Sequence, residues 1–151
     1  MDAIIGFFSS ILSAILPSLF KKREPTDLKK RYEKLRFDVA EALTMYACYY
    51  HNPVDLAQMS DHTLPQEYVT ASNELRKLGS TASALAATMP EKEKKLPITK
   101  TDLANVSGYL IGLSNSMTTP YNCADAGEFR DYSYMREEKV RKLLNIEKVK
   151  L

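Results

Sequence analysis

Three stretches of this chain repeat apolar residues at alternating steps of three and four, and each stops at a proline or a run of turn formers. In the first, Leu28, Tyr32, Leu35, Val39, Ala42, Tyr46 and Tyr49 form the seam, and Asn52-Pro53 ends it. In the second the seam is Tyr68, Ala71, Leu75, Leu78, Ala82, Leu85 and Met89, closed by Pro90. The third carries Leu103, Val106, Leu110, Leu113 and Met117. Such spacing keeps apolar side chains on one helical face, so each helix must bury that face against another. No segment alternates as a strand for long and no repeat of 20–50 residues is visible. The expected fold is all-α, a helical bundle, with one N-terminal transmembrane helix.

That last element comes from "DAIIGFFSSILSAILPSLFKKR" (2–23). Eighteen residues, Ala3 to Phe20, carry no charge. A helix of that length spans about 27 Å, close to the ~30 Å hydrocarbon core of a bilayer. A cleaved secretion signal has positive charge before its apolar run. Here Asp2 precedes the run, and Lys21, Lys22 and Arg23 follow it at once. By the positive-inside rule the segment before the run lies outside and the rest lies in the cytoplasm. A core helix of a soluble bundle and a helix lying flat on the membrane are the two alternatives. Gly6, Ser10, Ser13 and Pro17 share one face of this segment at steps of four, three and four. Small residues so spaced let membrane helices approach closely, and a serine face can border a pore.

The boundaries expected are 1–20 for the anchor and 21–26 for a basic linker. A cytoplasmic three-helix bundle follows over 27–118, then a loop and a charged C-terminal helix over 119–151. Thr63 and Gln66 fit a capping box with Pro65 in the first turn, and Thr101 lies near the start of the third helix. Asp125 and Glu128 pair at the start of the last helix, roughly 126–148. Gly79 is expected to permit a close helix crossing, and Gly108 with Gly112 another. Asn115 interrupts an apolar stretch and needs partners if buried; it fixes a helix register or faces a ligand groove.

Charge is uneven. The net +2 of 151 residues combines −1 over 1–20, +5 over 21–36, −5 over 37–135 and +3 over 136–151. Basic ends around an acidic middle suit an anionic membrane surface or a polyanion at the ends of the protein, not a uniformly basic nucleic-acid binder. The two cysteines make no disulfide framework.

Catalytic signatures are absent: no phosphate-binding glycine loop, no H-E-x-x-H pair and no G-x-S-x-G elbow occurs. Cys48 and His51 lie three apart, with His62 and Cys123 elsewhere; a zinc site usually shows two close-spaced pairs, so no metal is expected. Glu33, Asp38 and Glu41 read as surface carboxylates beside Lys29, Lys34 and Arg36. The chain is expected not to be an enzyme and to carry no cofactor.

"RYEKLRFDVAEALTMYACYYHNP" (31–53), "ASNELRKLGSTASALA" (71–86) and "YLIGLSNSM" (109–117), behind an apolar leader, resemble a family of small bacterial membrane-anchored helical proteins. The architecture is also similar to the membrane subunits of Hailong-type anti-phage operons. That resemblance implies a homo-oligomeric inner-membrane effector, an ion-conducting protein held silent by a DNA oligomer from a partner nucleotidyltransferase. It covers roughly 30–117 through packing motifs and carries over no individual gating residue. Control by a nucleic acid or nucleotide would need basic groups and aromatic faces on the cytoplasmic part. The candidates are Arg36, Arg76 and Lys77 for phosphate and Tyr50 and His51 for bases. The other reading is a membrane-tethered scaffold that binds another protein and transports nothing.

Overall fold

The computed structural model describes residues 27–52, 63–92, 94–119 and 126–147. The leader with Gly6, Ser10, Ser13 and Pro17, the linker 21–26, and His62, Cys123 and Asp125 lie outside the described residues. Five helices follow in order: α1 over 27–45, α2 Ala47–His51, α3 Gln66–Thr88, α4 Lys100–Thr118 and α5 Ala126–Leu144. The fold is an all-α bundle, with no strand among the described residues.

One core takes side chains from every helix. The third seam is buried as its spacing requires: Leu103, Val106, Leu110, Leu113 and Met117 are all inaccessible to solvent. The second is buried except for Tyr68 and Leu78, which are half-buried. The first changes phase. Tyr46 leaves the helix (φ −102°, ψ 7°), and the chain re-enters it as α2. Tyr46 and Tyr49 are thereby only half-buried, while Leu43 and Tyr50 turn fully inward. The Tyr50 hydroxyl donates to the Leu43 carbonyl at 2.8 Å, fastening α2 back onto the last turn of α1. α1 and α3 run antiparallel: Tyr49 packs edge-on against Tyr68 at 5.0 Å, and the Tyr68 hydroxyl donates to the Asn52 carbonyl.

Helix ends follow local chemistry. Thr99 caps α4: its hydroxyl accepts from the Asp102 amide at 3.0 Å and donates to the Asp102 carboxylate at 2.7 Å. The capping box expected at Thr63 and Gln66 does not form. α3 starts at Gln66, so Pro65 is itself the flanking residue, and no side chain caps the end. α5 stops at Leu144, short of the expected 148. Asn145 adopts a left-handed conformation (φ 51°). The Ile146 amide then donates to the Arg141 carbonyl and the Asn145 amide to the Lys142 carbonyl. This is a Schellman ending, which satisfies carbonyls the helix leaves open.

α5 belongs to the core. Val140 and Leu144 are fully buried, and Ser133, Glu137 and Arg141 are buried with them. A Cβ placed on Gly79 would meet Ile111 Cγ1 at 2.9 Å and the Ser107 carbonyl at 3.1 Å, so this glycine does allow a close α3–α4 crossing. Gly108 and Gly112 do not form a second one. Nothing lies within 4 Å of a Cβ at Gly108, and Gly112 is covered by the side chain of Arg136.

Candidate functional site

The densest polar cluster lies where α2 meets α5. Tyr134, Glu137 and Arg141 follow at steps of three and four, so they share one face of α5. His51, at the end of α2, brings Nε2 to 2.8 Å from Glu137 Oε2. Arg141 Nε donates to Glu137 Oε1 at 2.7 Å. The Tyr134 ring stacks on the imidazole at 3.9 Å, and Tyr50 meets it edge-on at 4.5 Å. Burial raises the Glu137 pKa, but the hydrogen bonds from His51 and Arg141 outweigh it and hold the carboxyl below its ordinary value. Burial first, then the Glu137 charge, push the Tyr50 phenol far upward. Both carboxylate oxygens are occupied, and each ring of the cluster is packed against another. The arrangement is a hydrogen-bonded joint between two helices, backed by an ion pair within α5, with no nucleophile beside an open position. Among the described residues, no group of three His, Cys, Asp or Glu is placed to hold a metal.

The residues expected to meet a nucleic acid do not gather in one place. Tyr50 is 1% exposed, so it presents no ring face to a base. His51 is committed to Glu137 and Tyr134. Arg36 caps α5: its Nε donates to the Leu144 carbonyl at 2.9 Å and Nη2 to the Asn145 carbonyl at 2.8 Å. Its remaining contact is Glu33 at 3.4 Å. A guanidinium at these last carbonyls completes the end of α5, and favours the negative end of the helix dipole. Arg76 does not pair with Glu74. Its Nη2 donates to Asn115 Oδ1 at 2.9 Å, and Nε reaches Ser114 Oγ at 3.4 Å. Lys77 is exposed on a groove between α1 and α3.

Asn115, which interrupts an apolar stretch of the sequence, is exposed and serves as the acceptor for Arg76. Serines take the buried polar role instead. Ser72 and Ser114 donate to one another's backbone carbonyls at 3.0 and 2.8 Å, tying α3 to α4. Ser133 on α5 donates to Ser116 on α4 at 3.2 Å. No buried side-chain polar atom among the described residues lacks a partner.

Glu137, Arg141 and Tyr134 were not anticipated. A signal for them exists: stepping back from Leu144 by four and three gives Val140, Glu137 and Ser133, a seam hidden by its charged and polar members. No protein-family model matches this chain, and no curated protein or solved structure matches it.

Proposed function

We propose that this chain is a membrane-tethered, homo-oligomeric effector. Its helical bundle sits on the cytoplasmic face of a bacterial inner membrane, and its leader lets ions through. The observation that carries this reading is the sharp break in the sequence. Eighteen uncharged residues meet Lys21, Lys22 and Arg23, and α1 is described from residue 27. Among the described residues no helix is long and apolar enough to cross a membrane; in this reading the crossing is residues 3–20, on the strength of their sequence alone. Lys29, Lys30 and Arg31, all exposed in the first turns of α1, extend the basic collar toward an anionic leaflet. The resemblance to Hailong-type membrane subunits supplies the anti-phage setting and a DNA oligomer as the silencing ligand. For such a ligand, Lys77 and Arg76 are the cations best placed. Lys77 is exposed, and the partners of Arg76 are neutral, so its charge is not cancelled by a carboxylate in contact.

A tethered scaffold without transport is the second reading. Phe37, Met45, Tyr132, Tyr134 and Met135 favour it, since all are more than 40% exposed and offer apolar contacts to another protein. Ion release from liposomes carrying the full chain separates the two, because a scaffold leaves the vesicles sealed.

A further inference from the structure

An open groove of about 540 Å³ runs between the antiparallel helices α1 and α3. Its floor is apolar: Leu35, Ala42, Met45, Tyr46 and Leu78. Met45 is 56% exposed there, on a helix whose seam from Leu28 to Ala42 serves the core. The α1 rim is charged in blocks. Arg31 and Lys34 come first, then Asp38 and Glu41.

These blocks have a symmetry. Arg31 lies as far before position 36 as Glu41 lies after it, and Lys34 lies as far before it as Asp38 after. A second α1 laid antiparallel, with the two-fold axis passing at that position, sets every cation against an anion in one register. Arg31 meets Glu41 of the other copy twice. Lys34, already 2.7 Å from its own Asp38, closes a ring of two cations and two anions. The α3 rim agrees. Glu74 lies by Tyr46, whose phenol pKa is raised by burial and then by the Glu74 carboxylate. An incoming antiparallel α1 brings its Arg31 end to that side and its acidic end toward Thr81, past Lys77. Symmetric dimers need a surface that complements itself in this way.

We infer that the α1–α3 groove is a docking surface for α1 of a second copy of this chain, antiparallel about a two-fold axis near position 36. The inference rests on the homo-oligomeric reading and names its interface. The two copies of residue 27 then lie about 27 Å apart along the pair, at ~1.5 Å per residue. Two copies anchored in one membrane satisfy this when α1 lies along the surface and the axis stands upright on it.

The interface makes a prediction that no contact within one chain can mimic. Arg31 and Glu41 are roughly 15 Å apart along a helix. Neither forms an ion pair with another described residue. The full chain is purified in detergent, and the protein mass per particle is measured by light scattering. Arg31→Glu and Glu41→Arg each place like charges together twice, and each should halve the mass of the particle. An equimolar mixture of the two variants sets Glu against Arg at both contacts and should restore it, as should the double variant R31E/E41R. Helical circular dichroism of each variant accompanies the measurement, and restoration in the mixture itself proves that both chains are folded. Unchanged mass in both single variants overturns the interface, as does a mixture that stays at half mass, or a wild type that is monomeric. Ion release by wild-type liposomes is read in parallel. Release that persists in variants of unchanged mass rejects this groove and leaves the membrane reading standing.

Discussion

His51 Nε2 and Glu137 Oε2 lie 2.8 Å apart across the junction of α2 and α5, and Arg141 holds the other oxygen of the same carboxylate at 2.7 Å. Glu137 thus joins a short helix to a long one through a hydrogen bond to the imidazole, while its own helix supplies the guanidinium. Removing it leaves a buried guanidinium unpaired. Breaking a buried pair in this way costs about 3–5 kcal/mol. We expect Glu137→Ala to lower unfolding stability by roughly 3 kcal/mol in a urea titration. His51→Phe should be milder, since it keeps the stack on Tyr134 and leaves Glu137 paired with Arg141. Equal losses in the two variants would mean that the lost contact with the imidazole, not the stranded guanidinium, accounts for the cost.

The same groups set the response to pH. The folded pKa of Glu137 is lowered by its hydrogen bonds with His51 and Arg141 against the opposing pull of burial. Its contribution is therefore complete above the unfolded carboxyl value of about 4.3, and is lost as pH falls through the lower folded value. Tyr50 has the opposite sign. Its folded pKa is raised, chiefly by burial. Its contribution is complete below the unfolded value of about 10, and is lost as pH rises toward the folded one. Melting temperature should fall at both extremes. Glu137→Gln should flatten the acid limb and, because the Glu137 charge helps to raise the Tyr50 phenol, soften the alkaline limb to a smaller degree; an acid limb as steep as that of the wild type would remove Glu137 as the cause.

Two helical glycines make opposite predictions from the same substitution. Alanine gains about 1 kcal/mol over glycine in a helix interior. At Gly108 a Cβ meets nothing within 4 Å, so Gly108→Ala should stabilise by about that amount. At Gly79 it meets a backbone carbonyl at 3.1 Å and Ile111 at 2.9 Å, in the crossing of α3 and α4. Gly79→Ala should therefore destabilise, despite the gain in propensity. Thermal melts of the two variants decide it, and a gain at both positions would mean that the crossing is looser than described.

The end of α5 rests on Asn145 and Arg36. Left-handed geometry costs a residue with an ordinary side chain about 1 kcal/mol, and asparagine tolerates it. Asn145→Ala should thus lose about 1 kcal/mol, while Asn145→Gly should be near neutral. Arg36→Met keeps the aliphatic stem but deprives the Leu144 and Asn145 carbonyls of their donor. Amide exchange should then quicken in the last turn of α5 before it quickens in α4. Uniform quickening across the bundle would assign Arg36 a global role instead.

The α4 seam from Leu103 to Met117 was legible because each position is apolar and the helix is unbroken. The α1 seam misled beyond Ala42, because its regular spacing runs straight through Tyr46, where the backbone turns. Nothing local marks that turn; the inward pull on Leu43 and Tyr50 comes from packing against the rest of the core. α5 read as a charged C-terminal helix apart from the three-helix bundle because its inward positions include Ser133, Glu137 and Arg141, and charge normally reports solvent. The partners of Arg36 were beyond reach for a different reason: its acceptor at Leu144 is 108 residues away in sequence. What spacing foretold was the close contact at Gly79; what it could not foretell was which long side chain would fold onto Gly112.

The most direct test of the membrane reading is potassium release from sealed liposomes carrying the full-length chain, with no oligonucleotide present. The account predicts release from the wild type, weaker release from Gly6→Leu and Ser13→Leu, near-normal release from Phe8→Leu, and none once 1–20 are deleted. Vesicles that carry the intact chain and stay as tight as protein-free ones would contradict it.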